Sequence, residues 1–317
     1  MPRAHRPRRG SLQFWPRKRA RRHYPKIKSW AKTNKIKSLA FIGYKVGMTH
    51  ALLIDSKEHS PTQGQEIFTP ITVIECPPIK PLSLRFYKQT YSGYQSITQI
   101  FSKNINKELA RKIKFPKKQT NKEALEFDEL RLQVYTQPKL TAIGKKKPEI
   151  FEIALSGSKE EQLSIAKQFL EKEIKLSDVF KEGELVDVHA VSTGKGFQGA
   201  TKRFGTRLRQ HKSEKAKRGV GSLGPWHSRS IWAVPHPGKM GYHTRLDFNK
   251  LILKINSNPS LINPKQGFHK YGFVKNDYTL IRGSVPGPKK RAIRMVEAIR
   301  PNKALKIIPE IKDIILE

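Results

Sequence analysis

Residues 194–245 hold no apolar positions recurring at a period of 2 or 3.6, so this stretch cannot bury a core of its own. The fold must be built by the sequence on either side, with the segment extruded from it. Glu214 is its only acidic residue, Lys and Arg recur every few positions, and Gly and Pro separate the rings of Phe197, Phe204, Trp226, Trp232 and Tyr242. Cations neutralise phosphates and flat rings stack on or wedge between bases, so the pattern is that of a loop entering folded RNA. A solvated linker would account for the charge but has little use for two Trp.

The whole chain shares this bias. Its 63 Lys and Arg against 26 Asp and Glu give a formal charge of +37, a self-repulsion that a polyanionic partner must neutralise. A membrane surface fits poorly. No apolar run of ~18 residues exists, the N-terminus lacks a signal-peptide core, and the basic segments are not interfacial amphipathic helices. The single Cys76 excludes an internal disulfide framework and a multi-Cys zinc site, which suits a reducing compartment. The 317 residues set a prior of about two domains.

No acidic residue precedes Asp55. Residues 1–38 interleave Arg8, Arg9, Arg17, Lys18, Arg19 and Arg21 with Phe14, Trp15 and Tyr24, and prolines at 2, 7, 16 and 25 prevent a helix. Import signals are shorter than this, so an extended nucleic-acid arm is expected. From Leu39 the composition turns apolar. Residues 39–42 and 51–54 read as two short strands joined by a Gly-rich loop, followed by strands at 73–75, 82–87, 97–101, 132–135 and 150–155. Ser158 and Glu161 make a capping box opening a helix with Leu163, Ala166, Phe169 and Leu170 on one face. Strands return at 185–191, 251–255, 278–282 and 293–297, and the apolar tail at 305–316 is expected to dock on the surface. Most acids lie between 121 and 187, which marks an α+β layer turned away from RNA. Strands on both sides of the basic excursion imply a mainly β fold: a closed antiparallel barrel, free of sheet edges, carrying one long functional loop.

Gly194, Gly196 and Gly199 satisfy G-x-G-x-x-G, but a dinucleotide fold needs an apolar helix on a parallel sheet to follow. The sequence A-T-K-R-F-G that comes next has no core face, so these glycines are read as letting backbone approach RNA. His211, His227, His236 and His243 have no metal-ligand spacing, and no nucleophile–base–orienter set can be assembled. Neither enzyme activity, cofactor, metal nor small-molecule substrate is expected. Lys289, Lys290 and Arg291 lie in a Gly- and Pro-rich loop that is either phosphate-binding or a solvated turn.

Longer motifs carry a specific resemblance. G-S-L-x-F-x-P-R-K-R-x-x-R from Gly10, F-x-G-Y-K-x-G-M-T-H from Phe41, then G-K-G-F-Q-G, R-F-G-T, G-P-W-H and G-Y-H-T-R in that order resemble the universal ribosomal protein L-three family of the large subunit, in its archaeal and eukaryotic form. The match runs to about residue 300, and the length favours the archaeal type. It implies a translation-protein-type β-barrel from 39–80 with 181–200 and 246–300, an α+β insertion at 81–180, a basic arm at 1–38, a finger at 201–245 and a tail at 301–317. It also implies a structural, non-enzymatic role in the cytoplasmic ribosome, with large-subunit rRNA and neighbouring ribosomal proteins as partners. The rRNA contacts would come from the arm residues named above with Phe14, from Lys45, Thr49 and His50, and from Lys195, Phe197, Lys202, Arg203, Arg207, Arg209, His211, Lys217 and Arg218. Trp226, His227, Arg229, Lys239, Tyr242, His243, Arg245, Lys289 and Arg291 complete the set. Gly221, Gly224, Pro225 and Trp226 would form a fingertip near the peptidyl-transferase centre. Eukaryotic members place a His where Glu214 stands, so no role resting on that His carries over. A non-ribosomal basic RNA- or DNA-binding protein is the alternative reading.

Overall fold

Strands β1 (Ala40–Ile54), β2 (Glu66–Glu75), β3 (Lys80–Thr90), β4 (Gly93–Phe101), β5 (Glu129–Tyr135) and β6 (Ile150–Ala154) precede the main helix α1 (Lys159–Glu171). After it come β7 (Leu185–Val191), β8 (Phe197–Gln198), the short helix α2 (Ala200–Phe204), β9 (Gly238–Lys239), β10 (Thr244–Asn256), β11 (Tyr278–Arg282), β12 (Ala292–Glu297) and β13 (Glu310–Ile315). The computed structural model describes residues 10–33, 36–114, 126–213, 215–220, 234–302, 305 and 308–316. The protein is mainly β with few helices, as its β-branched and aromatic apolar runs require. Among the described residues no helix is long and apolar enough to cross a membrane. Two compact units emerge, residues 1–23 with 191–245 and residues 24–190 with 246–317.

In the larger unit a seven-stranded sheet runs β12-β7-β10-β11-β2-β1-β13, and β12 pairs with β1 as well. The first residues of β1 take β12 (Ala40 opposite Val296), its last residues take β13 (His50 opposite Ile315), and its other edge takes β2 from Tyr44 to Ile54. Here the structure departs from the two short strands expected: β1 is one continuous strand. The glycines that suggested a loop serve close approach instead. A Cβ at Gly43 would lie 2.5 Å from Ile74 Cγ2 and 2.8 Å from Cys76 Sγ, and Gly47 follows a register shift beside β2. Such a shift is a bulge, which bends a strand without ending it. The apolar tail contributes a paired strand, β13.

The core behind this sheet includes Phe41, Ile42, Val73, Ile74, Val188, Leu280, Ile281 and Met295. Three buried charges are held by hydrogen bonds. Glu75 accepts from the backbone N–H groups of Lys275 (2.9 Å) and Asn276 (3.0 Å), from Asn276 Nδ2 (2.8 Å) and from the Tyr271 hydroxyl. Arg294 donates to the carbonyls of Pro25 (2.9 Å) and Glu152 (2.5 Å), its guanidinium 5.0 Å from the Phe151 ring centre. Lys45 Nζ donates to the Val285 (2.5 Å) and Gly287 (3.2 Å) carbonyls.

A four-stranded sheet, β4-β3-β5-β6, forms the other layer of this unit, with α1 packed on it. The expected capping box is present: Ser158 N–H donates to Glu161 Oε2 (2.8 Å), and Glu161 N–H to Ser158 Oγ (3.4 Å). Ala166 is buried, with Leu163, Phe169 and Leu170 half-buried against the core.

Candidate nucleic-acid interface

The smaller unit is organised by a two-stranded antiparallel stem. Ser192 N–H donates to the His243 carbonyl (2.9 Å), Tyr242 N–H to Thr193 (3.2 Å), Lys195 N–H to Met240 (2.9 Å) and Met240 N–H to Gly196 (2.9 Å). Above these, β8 and β9 pair Phe197 with Lys239 and Gln198 with Gly238. Gly241 has a φ of +73°, and a Cβ there would run into the Thr193 carbonyl, so only glycine lets the strands close at this point. Within the excursion, Arg209 N–H donates to the Lys217 carbonyl (3.0 Å), closing a local loop.

The stem is not bare. Phe204, at the end of α2, is only 9% exposed. Trp15 stacks on it with ring centres 6.1 Å apart, Arg17 lies 4.1 Å from its centre, Arg203 lies 5.1 Å away, and Gly10 packs on its edge. Arg17 also donates to the Arg203 carbonyl (3.0 Å). Arg203 in turn donates to the carbonyls of Lys239 and His236, both at 3.0 Å. The arm therefore docks on the stem: Ala20 N–H donates to the Tyr242 carbonyl (2.9 Å), and the Tyr242 hydroxyl hydrogen-bonds His23 Nδ1 (2.7 Å). His243 is buried, with Nδ1 donating to the Lys18 carbonyl (2.9 Å) and its backbone N–H to Ser192 Oγ (3.1 Å). Arg245 lies 4.9 Å from the Phe14 ring centre and Arg19 5.7 Å from that of Tyr242.

One expectation is corrected by this packing. The 194–245 segment has no core of its own, as expected, but it shares a small one with arm residues, which supply half of it. Phe204, read as a ring available to bases, is the centre of that core.

The electrostatics follow from the near-absence of acid, since Glu214 is the unit's one carboxylate side chain and lies outside the described residues. Burial lowers the Arg17 guanidinium. Arg203 and Arg245 are lowered by burial first and by the Arg17 charge second. Guanidiniums stay protonated under such shifts, so three like charges converge with no carboxylate partner among the described residues. The outward cations Lys18, Arg19, Arg21, Lys195, Lys202, Arg207, Arg209, Lys217, Arg218 and Lys239 are exposed, with His211 and Phe197 among them. Arg17, Arg203, Tyr242 and Arg245 are half-buried. Arg8, Arg9, Trp226, His227, Arg229 and the fingertip residues Gly221, Gly224 and Pro225 lie outside the described residues.

In the larger unit the remaining candidates divide. Lys45 is buried on carbonyls, so its amine secures the 283–291 loop rather than facing outward, and burial lowers its pKa. Thr49 donates its hydroxyl to the Ile315 carbonyl. His50 is exposed and stacks on Phe68, ring centres 4.4 Å apart. Lys289 donates to the His269 carbonyl (2.9 Å), and the Arg291 carbonyl accepts from Lys45 N–H (3.0 Å).

The glycine motif is followed by a helix of only five residues, ending in Gly205 with a left-handed φ of +66°. β8 meets β9 antiparallel. This lacks the parallel βαβ unit that holds a dinucleotide. Among the described residues no cluster of metal-ligating side chains occurs.

Comparison with known proteins decides the family. Residues 1–316 match the family described as Ribosomal protein L3. The chain belongs to the ribosomal protein L3 family. It is 46% identical to the Large ribosomal subunit protein uL3 of Methanobrevibacter smithii, over 98% of this chain and 97% of that one. It is 48% identical to that of Methanocaldococcus jannaschii, over 96% and 95%, and 46% identical to that of Archaeoglobus fulgidus, over 95% and 94%. As an L3-family protein it carries the arm and finger motifs in the smaller unit, where their exposed cations gather.

Proposed function

We propose that the chain is a structural, non-enzymatic constituent of the large ribosomal subunit in the cytoplasm, held there by ribosomal RNA and neighbouring ribosomal proteins. The observation that carries this reading is the L3-family match across residues 1–316. The chemistry agrees with it: a unit with one carboxylate side chain and cations along its stem needs a polyanion, and RNA supplies phosphates and bases together.

Within that reading the outward Lys and Arg of the stem and arm take phosphates, while Arg17, Arg203 and His243 shape the unit that presents them. His50, Lys289 and Arg291 form a separate contact on the larger unit. The strand order that leads from β12 back to β1 is read as a closed barrel of the translation-protein type, serving as base for the finger. The fingertip, with Trp226, reaches toward the peptidyl-transferase centre.

Sedimentation tests the assignment. A tagged chain expressed in an archaeal host should co-migrate with large subunits on sucrose gradients at moderate salt and leave them only at high salt. Migration with chromosomal DNA, or away from subunits altogether, would favour a non-ribosomal nucleic-acid-binding protein instead.

A further inference from the structure

Phe197 is 72% exposed. Single exposed apolar side chains are ordinary on protein surfaces and need no explanation. This one differs in three ways, all within the smaller unit. Its backbone is fixed: Phe197 sits in β8, between the Lys195–Met240 and Gly196–Met240 hydrogen bonds and the pairing with β9. The backbone that carries the ring is already ordered, so only the side chain's own rotamer freedom remains to be lost when something stacks on it.

Second, its cross-strand partner is Lys239, which is exposed. Directly opposed residues of an antiparallel pair project from the same face with Cβ atoms ~5 Å apart. An apolar plane and an ammonium therefore stand side by side. Lys195 and Lys202 are exposed nearby in sequence, and no carboxylate side chain lies between residues 188 and 213. That combination selects against an acid-poor protein surface, which would leave the ammonium unpaired, and for an aromatic group joined to an anion.

Third, the neighbouring backbone is bare. At Gly196, with a φ of +67°, and at Gly199, no described residue beyond the chain neighbours lies within 4 Å of where a Cβ would stand. The backbone flanking Phe197 therefore carries no side chain at these two positions to hinder a flat ligand.

We infer that Phe197 is a stacking platform for one unpaired nucleobase of RNA, with Lys239 taking an adjoining phosphate. Base–aromatic stacking is tolerant of sequence and needs a base released from a duplex, so the ligand is a looped-out or single-stranded nucleotide. The inference rests on the ribosomal reading above.

The test uses assembled large subunits. Position 197 is replaced by p-benzoylphenylalanine, which keeps a ring there, and subunits are irradiated. A crosslink to a single rRNA nucleotide is expected. In subunits carrying Phe197→Ala, dimethyl sulfate reactivity of a base at that nucleotide should rise several-fold, whereas Phe197→Trp should keep it protected. A crosslink to a ribosomal protein, or no crosslink in sedimenting subunits, overturns the inference and leaves the ribosomal assignment standing. Should the Ala variant fail to assemble, the crosslink alone decides. Failure of the wild-type chain to sediment with subunits would remove both readings.

Discussion

At the scale of single residues, the larger unit keeps its buried charges by surrounding them with partners, and this makes them sensitive to small changes. Four donors converge on Glu75. Glutamine has the same shape but offers one acceptor oxygen and turns two donors toward that cluster. Glu75→Gln should therefore cost about 3 kcal/mol in urea unfolding, since a buried donor left unsatisfied costs about 1–3 kcal/mol and bonds to charged groups contribute more than neutral ones. A loss under about 1 kcal/mol would mean that the 271–276 loop is not held through this carboxylate. His189 behaves in the opposite way. It lies on β7 opposite Arg294, and burial first, then that guanidinium, push its pKa from 6.5 down to about 4. The unfolded chain then binds more protons than the folded one between these values, so stability rises with pH from about 4 to about 6.5 and is complete above that. His189→Asn should flatten this portion of the stability–pH curve relative to wild type. Parallel curves for the two proteins would show that the imidazole stays solvated.

At the scale of elements, the arm and the stem are one packing unit centred on Phe204. Phe204→Ala removes the surface shared by Trp15, Arg17 and Gly10, so the arm should lose its docking while the larger unit keeps its melting transition. Trypsin should then cut at Arg17, Lys18 and Arg19 much faster than in the wild-type chain, with Phe204→Leu intermediate; equal cleavage rates would mean that the ring does not hold the arm. How legible each element was follows from where its partners lie in sequence. The capping box, the α1 face and strands β7 and β11 are written within a few consecutive residues, so periodicity and caps reveal them. The small core around Phe204 is split between residues 10–17 and 200–204, and no local window contains both halves. Strand β1 reads as two in sequence because glycine at a close approach looks there like glycine in a loop. Lys45 had the charge of an RNA contact, and only tertiary structure shows its amine on the Val285 and Gly287 carbonyls. The outward cations of the stem and the exposure of Phe197 agree with a sequence that has no core pattern there.

At the scale of the whole molecule, charge is divided between holding the fold and facing outward. Arg17 and Arg203 spend their donors on carbonyls, whereas Lys202, Arg207, Arg209, Lys217 and Arg218 are exposed. Converting those outward residues to Gln should make the salt dependence of rRNA binding shallower by about 0.7–0.9 in log–log slope for each phosphate no longer neutralised. Arg203→Gln alone should instead loosen the stem with little change in slope. An unchanged slope in the multiple variant would place the phosphate contacts elsewhere. The excursion itself leaves the sheet at the end of β7 and re-enters at the start of β10, and these strands are neighbours in the sheet. Its two anchor points are thus fixed beside one another whatever lies between them. Closing a longer loop costs only ~0.6 kcal/mol per doubling of its length. Residues can be gained or lost between the paired Gln198 and Gly238 without moving a strand of the sheet. The length of the excursion is therefore a variable separate from the sheet, open to insertion and deletion while the scaffold stays constant.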